Sequence, residues 1–139
     1  MDACHRKQAS KKLQEVFEKY CVPVLEKKLC VIVFCETQDH ARAVSKIISR
    51  IQFDNRPVNA QYLGSDINSN EIKEILEGFA NGEIDVICTP SMLSEGYDNK
   101  RIGAVVLNSA IVESKTRYVQ RIGRGLRPRK GKTECIVVD

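Results

Sequence analysis

Cys30-Val31-Ile32-Val33-Phe34-Cys35 is a continuous apolar run, rich in β-branched side chains. It has the length of a strand, and it lacks the polar and apolar alternation of a strand with one face in water. A run of this kind is typical of a parallel sheet that is covered on both faces. It therefore predicts a buried strand in an α/β domain, and the segments on either side of it can be interpreted from there.

Two segments with helical spacing follow this strand. Thr37 is placed to cap a helix that extends to about Ser49, and Asn68 or Ser69 caps a second helix that closes at Asn81-Gly82. Their apolar stripes are expected to point inward. The inward positions are Ala41, Val44, Ile47 and Ile48 in the first helix, and Ile72, Ile75, Leu76 and Phe79 in the second.

Four further apolar segments are predicted to be strands. They are Val58 to Leu63, entered after the turn Asp54-Asn55-Arg56-Pro57; Ile84 to Cys88, ending at Thr89-Pro90; Ile102 to Leu107; and Cys135 to Val138. A short helical turn is expected from Ser91 to Glu95 and a helix from Lys115 to Gly123. Strands that alternate with helices at this spacing predict a single α/β domain with a doubly wound parallel sheet, flanking helices and right-handed crossovers.

The N-terminal segment is organised differently. Residues 5–29 carry apolar positions at helical spacing among lysines and glutamates, which predicts an amphipathic helix that is broken or kinked at Pro23. We expect this helix to pack on the outside of the domain. The predicted division is therefore an N-terminal helical segment over residues 1–29 and the α/β domain proper over residues 30–139.

Composition limits the class of protein. The chain has 139 residues, 42% of them hydrophobic and 29% charged, which indicates one globular domain and excludes a disordered chain. It has no apolar run of about 18 residues and no signal-peptide pattern, so we expect an intracellular protein, in the cytoplasm or the nucleus, without a membrane partner. The six cysteines show no C-x-x-C spacing, and we expect them to be reduced and structural, with no metal site.

The positive charge is concentrated near the C-terminus. Residues 115–132 contain eight Lys or Arg and no acid, and without these eight cations the net charge of +4 would become −4. A helix would place Arg117, Arg121 and Arg124 on one face, and Pro128 would release Arg127 into a loop. Unpaired arginines beside glycines favour bidentate recognition of phosphate, and the alternative is an ordinary solvated basic helix end.

Loops at the predicted carboxyl edge of the sheet are the second candidate site, because ligands of such sheets bind there. The loops begin at Glu36-Thr37, Gly64-Ser65, Thr89-Pro90 and Asn108-Ser109. Their hydroxyls, amides and backbone donors suit phosphodiester oxygens. Each loop alone is more often an ordinary helix cap, but their combination beside a basic patch points to a polyanionic partner.

Two segments resemble nucleotide-binding motifs but lack required residues. Gly131-Lys132-Thr133 resembles the end of a P-loop, but Leu126 stands where the first glycine is required and a predicted strand follows. Gly123-x-Gly125 lacks the third glycine of a dinucleotide fingerprint. We therefore expect that this chain alone binds no nucleoside triphosphate productively. Its arginines would suit fingers that enter a site built by another domain.

Two blocks carry a specific resemblance. The segment from Thr89 to Asp98 and the segment Gln120-Arg-Ile-Gly-Arg-Gly-Leu-Arg127 resemble motifs V and VI of superfamily 2 helicases. The segment from Phe34 to Thr37 is similar to motif IV, and the segment from Tyr62 to Ser65 to the loop called IVa. The motifs keep their order and spacing over residues 28–139, and the variants of motifs V and VI look closest to restriction-subunit and excision-repair-type DNA translocases.

The resemblance implies the second RecA-like domain of an ATP-dependent DNA helicase or translocase. It implies that Arg124 and Arg127 are fingers on the γ-phosphate and that Gln120 orients the γ-phosphate or the attacking water. Three further residues are implied near the nucleotide and its ribose: Gly96, Asp98 and Arg121, the last paired with Asp98. Four residues are implied as nucleic-acid backbone contacts: Thr37, Gly64, Ser65 and Thr89.

The same resemblance implies ATP as the cofactor, with Mg²⁺ held mainly by an N-terminal RecA-like domain that this chain lacks. It also implies that the isolated chain is inactive as an ATPase, and we expect the end at Asp139 to be a cut boundary or the end of a truncated product. Two features depart from the family pattern. Pro90 removes a backbone donor next to Thr89, and Gln38 stands where many RNA helicases carry arginine. The alternatives are a stand-alone nucleic-acid-binding module, an RNA helicase domain, or an interaction domain with a degenerate motif VI.

Overall fold

The computed structural model describes residues 13–90, 102–107 and 134–137. In chain order, the helices and strands are α1 (Leu13–Val16), a π-helical turn (Phe17–Cys21), α2 (Val22–Glu26), β1 (Cys30–Phe34), α3 (Gln38–Ile48), β2 (Gln52–Phe53), β3 (Arg56–Pro57), β4 (Ala60–Tyr62), α4 (Ser69–Asn81), β5 (Val86–Thr89), β6 (Ile102–Leu107) and β7 (Glu134–Val137). The helices predicted over residues 91–95 and 115–123 lie outside the described residues.

The sheet has five parallel strands in the order β4-β5-β1-β6-β7. Strand β1 lies at the centre, where Phe34 pairs with Thr89 on one side and with Leu107 on the other. Every residue of β1 is at most 2% exposed. The predicted buried strand and the parallel α/β sheet are therefore confirmed.

Alternate residues of β1 enter two hydrophobic cores, one on each face of the sheet. Val31, Val33 and Cys35 pack with the N-terminal helical segment and with α3. Cys30, Ile32 and Phe34 pack with α4 on the other face, where the fully buried Phe79 is the largest contribution of that helix. Because both faces are covered, β1 needs no polar alternation, which explains its sequence.

Both central helices are capped as the sequence predicts. The Thr37 side chain accepts a hydrogen bond from the His40 backbone N–H at 3.1 Å, and the Asn68 side chain accepts one from Glu71 at 2.8 Å. Gly82 ends α4 with φ of 90°, a left-handed conformation that glycine adopts without strain. The inward face of α3 differs at one position: Ser45 is buried, whereas Ile47 is half-buried.

The N-terminal helical segment is irregular where proline predicts a break. The π-helical turn lies just before Pro23, and the Val22 N–H donates to the Phe17 carbonyl, five residues back. Phe17 is 1% exposed and Cys21 is fully buried, so this segment supplies core side chains as well as an outer layer. The boundary proposed between residues 1–29 and 30–139 stays a prediction.

The predicted second strand, Val58 to Leu63, was too long: β4 has only three residues. The preceding turn is confirmed at Asp54-Asn55 but was predicted too long, because Arg56–Pro57 is strand β3 and forms an antiparallel hairpin with β2 in which Phe53 pairs with Arg56. Asp54 and Asn55 make the two-residue turn with φ of 57° and 62°. Such left-handed pairs match the twist of a tight hairpin, and Asp and Asn tolerate them better than most residues.

Two strands are shifted from their predicted positions. Strand β5 begins at Val86 and includes Thr89, whereas Ile84 to Cys88 was predicted, and β7 begins at Glu134, one residue early. Asp85, the polar residue just before β5, uses its side chain to bind Arg56 and the Asn59 N–H. Strand β6 has its predicted bounds.

Four cysteines in the described part of the chain form no disulfide. Cys21, Cys30, Cys35 and Cys88 are all buried, and burial raises the pKa of the Cys88 thiol well above its ordinary value. The Cys88 thiolate is therefore disfavoured, and the four buried cysteines act as small apolar core residues. Across residues 13–90, 102–107 and 134–137, no helix has the length and apolar character that crossing a membrane requires.

Candidate functional site

Three of the predicted loops meet at one edge of the sheet. Strands β4, β5 and β1 are neighbours and run parallel, with Tyr62 paired to Cys88 and Phe34 paired to Thr89. The chain therefore leaves all three strands at the same carboxyl edge. The fourth predicted loop, Asn108-Ser109, lies outside the described residues, although β6 ends opposite the end of β1.

Thr37 lies exposed at the start of α3. Its backbone is extended, with φ of −135°, and its carbonyl accepts the first helical hydrogen bond from Ala41 at 2.9 Å. Its hydroxyl oxygen accepts from the His40 N–H, and a hydroxyl that accepts one hydrogen bond still has a proton to donate. Capping therefore fixes the position of this hydroxyl without using its donor.

Gly64 and Ser65 follow β4 in a turn. The Ile67 N–H donates to the Gly64 carbonyl at 3.2 Å. A Cβ atom on residue 64 would lie 2.0 Å from the Tyr62 hydroxyl oxygen, so glycine allows the chain to pass closely over that ring. Ser65 is exposed, and its hydroxyl oxygen accepts a hydrogen bond from the Gln38 side-chain amide at 3.3 Å. This bond joins the Ser65 loop to the first turn of α3.

Thr89 is buried, unlike the candidates Thr37 and Ser65. It is 2% exposed, and its carbonyl accepts a hydrogen bond from the Cys35 N–H at 2.9 Å. Its side chain therefore lies beneath the edge of the sheet, while Thr37 and Ser65 lie on the surface. Pro90, which follows, is half-buried.

A cluster of three side chains was missed by sequence reasoning. The Arg42 guanidinium lies over the Tyr62 ring, 4.3 Å from its centroid, and forms an ion pair with Asp66. The Tyr62 hydroxyl donates to Asp66 at 2.6 Å. Arg42 is separated from Asp66 by 24 residues, so no local pattern relates the two. We refer to Arg42, Tyr62 and Asp66 as the edge cluster.

The pKa values of the edge cluster reflect these contacts. Partial burial and then the hydrogen bond to Asp66 raise the pKa of Tyr62 to about 12. The hydrogen bond from Tyr62, assisted by the Arg42 charge, holds the pKa of Asp66 below its ordinary value. At neutral pH Tyr62 is therefore a neutral phenol and Asp66 is a carboxylate.

The remaining candidates lie outside the described residues. They are Gln120, Arg124 and Arg127, predicted to act on ATP, and Gly96, Asp98 and Arg121, predicted to lie near the nucleotide. In the part of the chain that the structure describes, no group of three or more His, Cys, Asp or Glu residues could hold a metal ion. The described geometry thus concerns the predicted nucleic-acid half of the site.

The sequence profile called Helicase conserved C-terminal domain matches residues 10–129. The chain belongs to the helicase C-terminal domain family. The match includes all of the described helices and the predicted motifs IV to VI. The RecA-like, superfamily 2 fold that the sequence predicts is therefore confirmed.

Two curated relatives have the same percentage of sequence identity with this helicase C-terminal domain. It is 30% identical over 132 residues to the putative ATP-dependent helicase IRC3 of Saccharomyces cerevisiae, covering 94% of this chain and 18% of that protein. It is 30% identical over 122 residues to the ATP-dependent RNA helicase eIF4A of Candida glabrata, covering 85% of this chain and 29% of that protein. The chain thus spans less than a third of the length of either relative.

The helicase C-terminal domain is also similar to a solved helicase structure. It superimposes on the Hef helicase domain of Pyrococcus furiosus with a TM-score of 0.66 and 25% sequence identity, covering 91% of this chain and 24% of that one. The match again covers a part of a longer helicase.

Proposed function

We propose that this chain is the second RecA-like domain of an ATP-dependent superfamily 2 DNA helicase or translocase. It would bind the nucleic-acid backbone at the carboxyl edge of its sheet and supply arginines to an ATP site shared with a first RecA-like domain. The observation that carries the proposal is that the Thr37 and Ser65 hydroxyls lie on adjacent loops in a member of the helicase family. The hydrogen bond from Gln38 to Ser65 joins these two loops.

The chemistry of the two hydroxyls favours phosphodiester as the ligand. Both oxygens already accept a hydrogen bond from the protein, and each hydroxyl keeps its own proton to donate to a ligand. A phosphate oxygen is an acceptor without a donor, which complements this pair. Contacts of this kind carry no base specificity, as a motor that moves along any sequence requires.

The nucleotide half of the proposal rests on motif VI. Arg124 and Arg127 would stabilise charge on the γ-phosphate, and Gln120 would orient the phosphate or the attacking water. Arg121, Gly96 and Asp98 would form the side near the ribose. ATP would bind in the cleft between two domains, with Mg²⁺ held mainly by the first domain, and closing and reopening of this cleft would step the protein along a strand.

DNA is the substrate we favour. Gln38 occupies the position at which many RNA helicases carry arginine, and its amide donates to Ser65 instead of presenting a cation. The named RNA helicase among the relatives, eIF4A, makes RNA the alternative to test. The substrate can be decided by binding the chain to single-stranded DNA and RNA of one sequence at several salt concentrations, with fluorescence anisotropy as the readout.

We expect the isolated chain to bind DNA more tightly than RNA, with an affinity that falls as salt rises because backbone contacts release counterions. Ser65→Ala should weaken binding about threefold to tenfold, the range for loss of one hydrogen bond to a charged group. Ser49→Ala is the matched control, since Ser49 lies at the other end of α3. Tighter binding to RNA would contradict the choice of DNA, and an unchanged affinity of Ser65→Ala would contradict the hydroxyl contact.

The finger assignment needs the longer protein that carries both domains. Arg124→Ala should leave ATP binding intact and lower ATP turnover by about 10³-fold, the scale for losing an arginine finger. Arg129→Ala is the matched control, because Arg129 lies in the same basic stretch but outside the motif. Normal turnover in Arg124→Ala would remove the finger assignment and would favour a stand-alone nucleic-acid-binding module.

A further inference from the structure

The edge cluster connects the two elements that carry the proposed phosphate contacts. Arg42 lies on α3, which begins just after Thr37, and Asp66 lies in the turn that contains Ser65. Tyr62, at the end of β4, contacts both of these side chains. The cluster therefore bridges the same gap as the Gln38–Ser65 hydrogen bond, at a second point further along α3.

A single exposed ion pair would contribute little here. The Arg42 and Asp66 side chains are 43% and 36% exposed, and pairs of this kind are weak in water. In the edge cluster, however, the guanidinium also stacks on the Tyr62 ring, and the phenol also donates to Asp66. Because each side chain is held by two others, the cluster restricts geometry more than it adds to stability.

We infer that Arg42 and Asp66 are positioning residues, which set the distance between the Thr37 and Ser65 hydroxyls so that both can reach one nucleic-acid backbone. The inference rests on the proposed function of those hydroxyls. In this inference Arg42 holds Tyr62 and Asp66 and does not bind the phosphate. A cation at this edge would ordinarily be taken for a phosphate ligand.

Asp66 makes the inference testable, because electrostatics alone predicts the opposite result. A carboxylate beside Ser65 repels phosphate, so its neutralisation should tighten nucleic-acid binding if charge is all that matters. If Asp66 holds Arg42 and the turn in place, its neutralisation should weaken binding. The sign of the change in affinity therefore distinguishes the two roles.

The experiment compares Asp66→Asn, Arg42→Gln and the double variant in anisotropy titrations of the full chain with single-stranded DNA. We expect each single variant to bind about threefold to tenfold more weakly, and the double variant to bind no more weakly than the worse single, because both break the same connection. The slope of affinity against salt should stay at the wild-type value in Arg42→Gln.

Asp39→Asn is the matched control. Asp39 is an exposed carboxylate in the first turn of α3, on the same edge. Its charge acts weakly on Tyr62, but the hydrogen bond, ion pair and ring contact that form the edge cluster do not include it. Its neutralisation should leave DNA binding unchanged or slightly tighter. Urea unfolding midpoints of all variants should stay close to the wild-type value, since the Arg42 and Asp66 side chains are 43% and 36% exposed, and this verifies that weaker binding is not caused by unfolding.

Two outcomes would overturn the positioning role. They are tighter binding by Asp66→Asn, and a salt slope that falls by about one in Arg42→Gln, which would make Arg42 a direct phosphate ligand. Neither outcome would affect the proposed function, because the wild-type chain would still bind DNA. A wild-type chain that binds neither DNA nor RNA would overturn both.

Discussion

Arg56 and Asp85 form a two-point ion pair at the amino-terminal edge of the sheet. Arg56 Nη1 lies 2.9 Å from Asp85 Oδ2, and Nη2 lies 3.3 Å from Oδ1. The Asn59 N–H also donates to Oδ2, at 2.9 Å. The Asp85 side chain is only 9% exposed, whereas that of Arg56 is 45% exposed. The pair connects the β2–β3 hairpin to the start of β5, at the edge opposite the candidate nucleic-acid interface.

The first prediction concerns this buried carboxylate. Asp85→Asn keeps the shape but removes the charge, so Arg56 loses its counterion and the Asn59 N–H a strong acceptor. We expect the free energy of unfolding to fall by about 2 kcal/mol, measured by urea denaturation. Glu77→Gln removes an exposed carboxylate from α4 and should stay within about 0.5 kcal/mol of wild type. Equal losses of unfolding free energy in the two variants would show that the buried ion pair stabilises the fold no more than an exposed carboxylate does.

The second prediction concerns the close approach at Gly64. In Gly64→Ala the new Cβ would lie 2.0 Å from the Tyr62 hydroxyl oxygen and 3.0 Å from Asp66 Oδ1. The ring must move, which breaks its bond to Asp66, and we expect DNA binding to weaken about threefold to tenfold. The check is a double-mutant cycle with Tyr62→Leu, which removes the clashing atoms. An undiminished effect of Gly64→Ala in the Tyr62→Leu background would contradict the steric explanation.

The third prediction concerns the cap of α4. Asn68→Ala removes the side-chain oxygen that accepts the Glu71 N–H and should lower the free energy of unfolding by about 1 kcal/mol. Asn70→Ala, two residues later within the helix, makes the same chemical change at an exposed position and should be neutral or slightly stabilising. Chemical denaturation of both variants tests the difference. A reversed order of stabilities would show that the cap contributes less than helix propensity.

The fourth prediction concerns alkaline pH. Since the pKa of Tyr62 is raised to about 12, the unfolded chain releases this proton near the ordinary value of about 10 while the folded chain retains it. The folded state then binds more protons, so the contribution of Tyr62 to stability is complete below about pH 10 and decreases toward pH 12.

Phenolate absorbance of the wild type minus that of Tyr62→Phe isolates this one titration. The midpoint of this titration should lie near pH 12 in the wild-type background. In Asp66→Asn the midpoint should move down, because the neutral amide no longer disfavours a nearby phenolate. A midpoint near the ordinary value of about 10 in the wild-type chain would mean that Tyr62 is not held against Asp66 in solution.

Local sequence determined the elements whose causes lie within a few residues. The run from Cys30 to Phe34 had to be a strand covered on both faces, and the caps at Thr37 and Asn68 act on backbone groups three residues away. Gly82 ends α4 because the backbone at that one position is left-handed. These features depend on periodicity and backbone geometry, which one segment contains in full.

Tertiary structure decided what depends on residues distant in sequence. The strand order β4-β5-β1-β6-β7 buried Thr89 and placed Ser65 beside Gln38, 27 residues away. It also paired Arg42 with Asp66 and Arg56 with Asp85, across 24 and 29 residues. No sequence period links such residues, because their partners are chosen by which strands become neighbours and by which polar groups would otherwise be left without a partner as the two cores close.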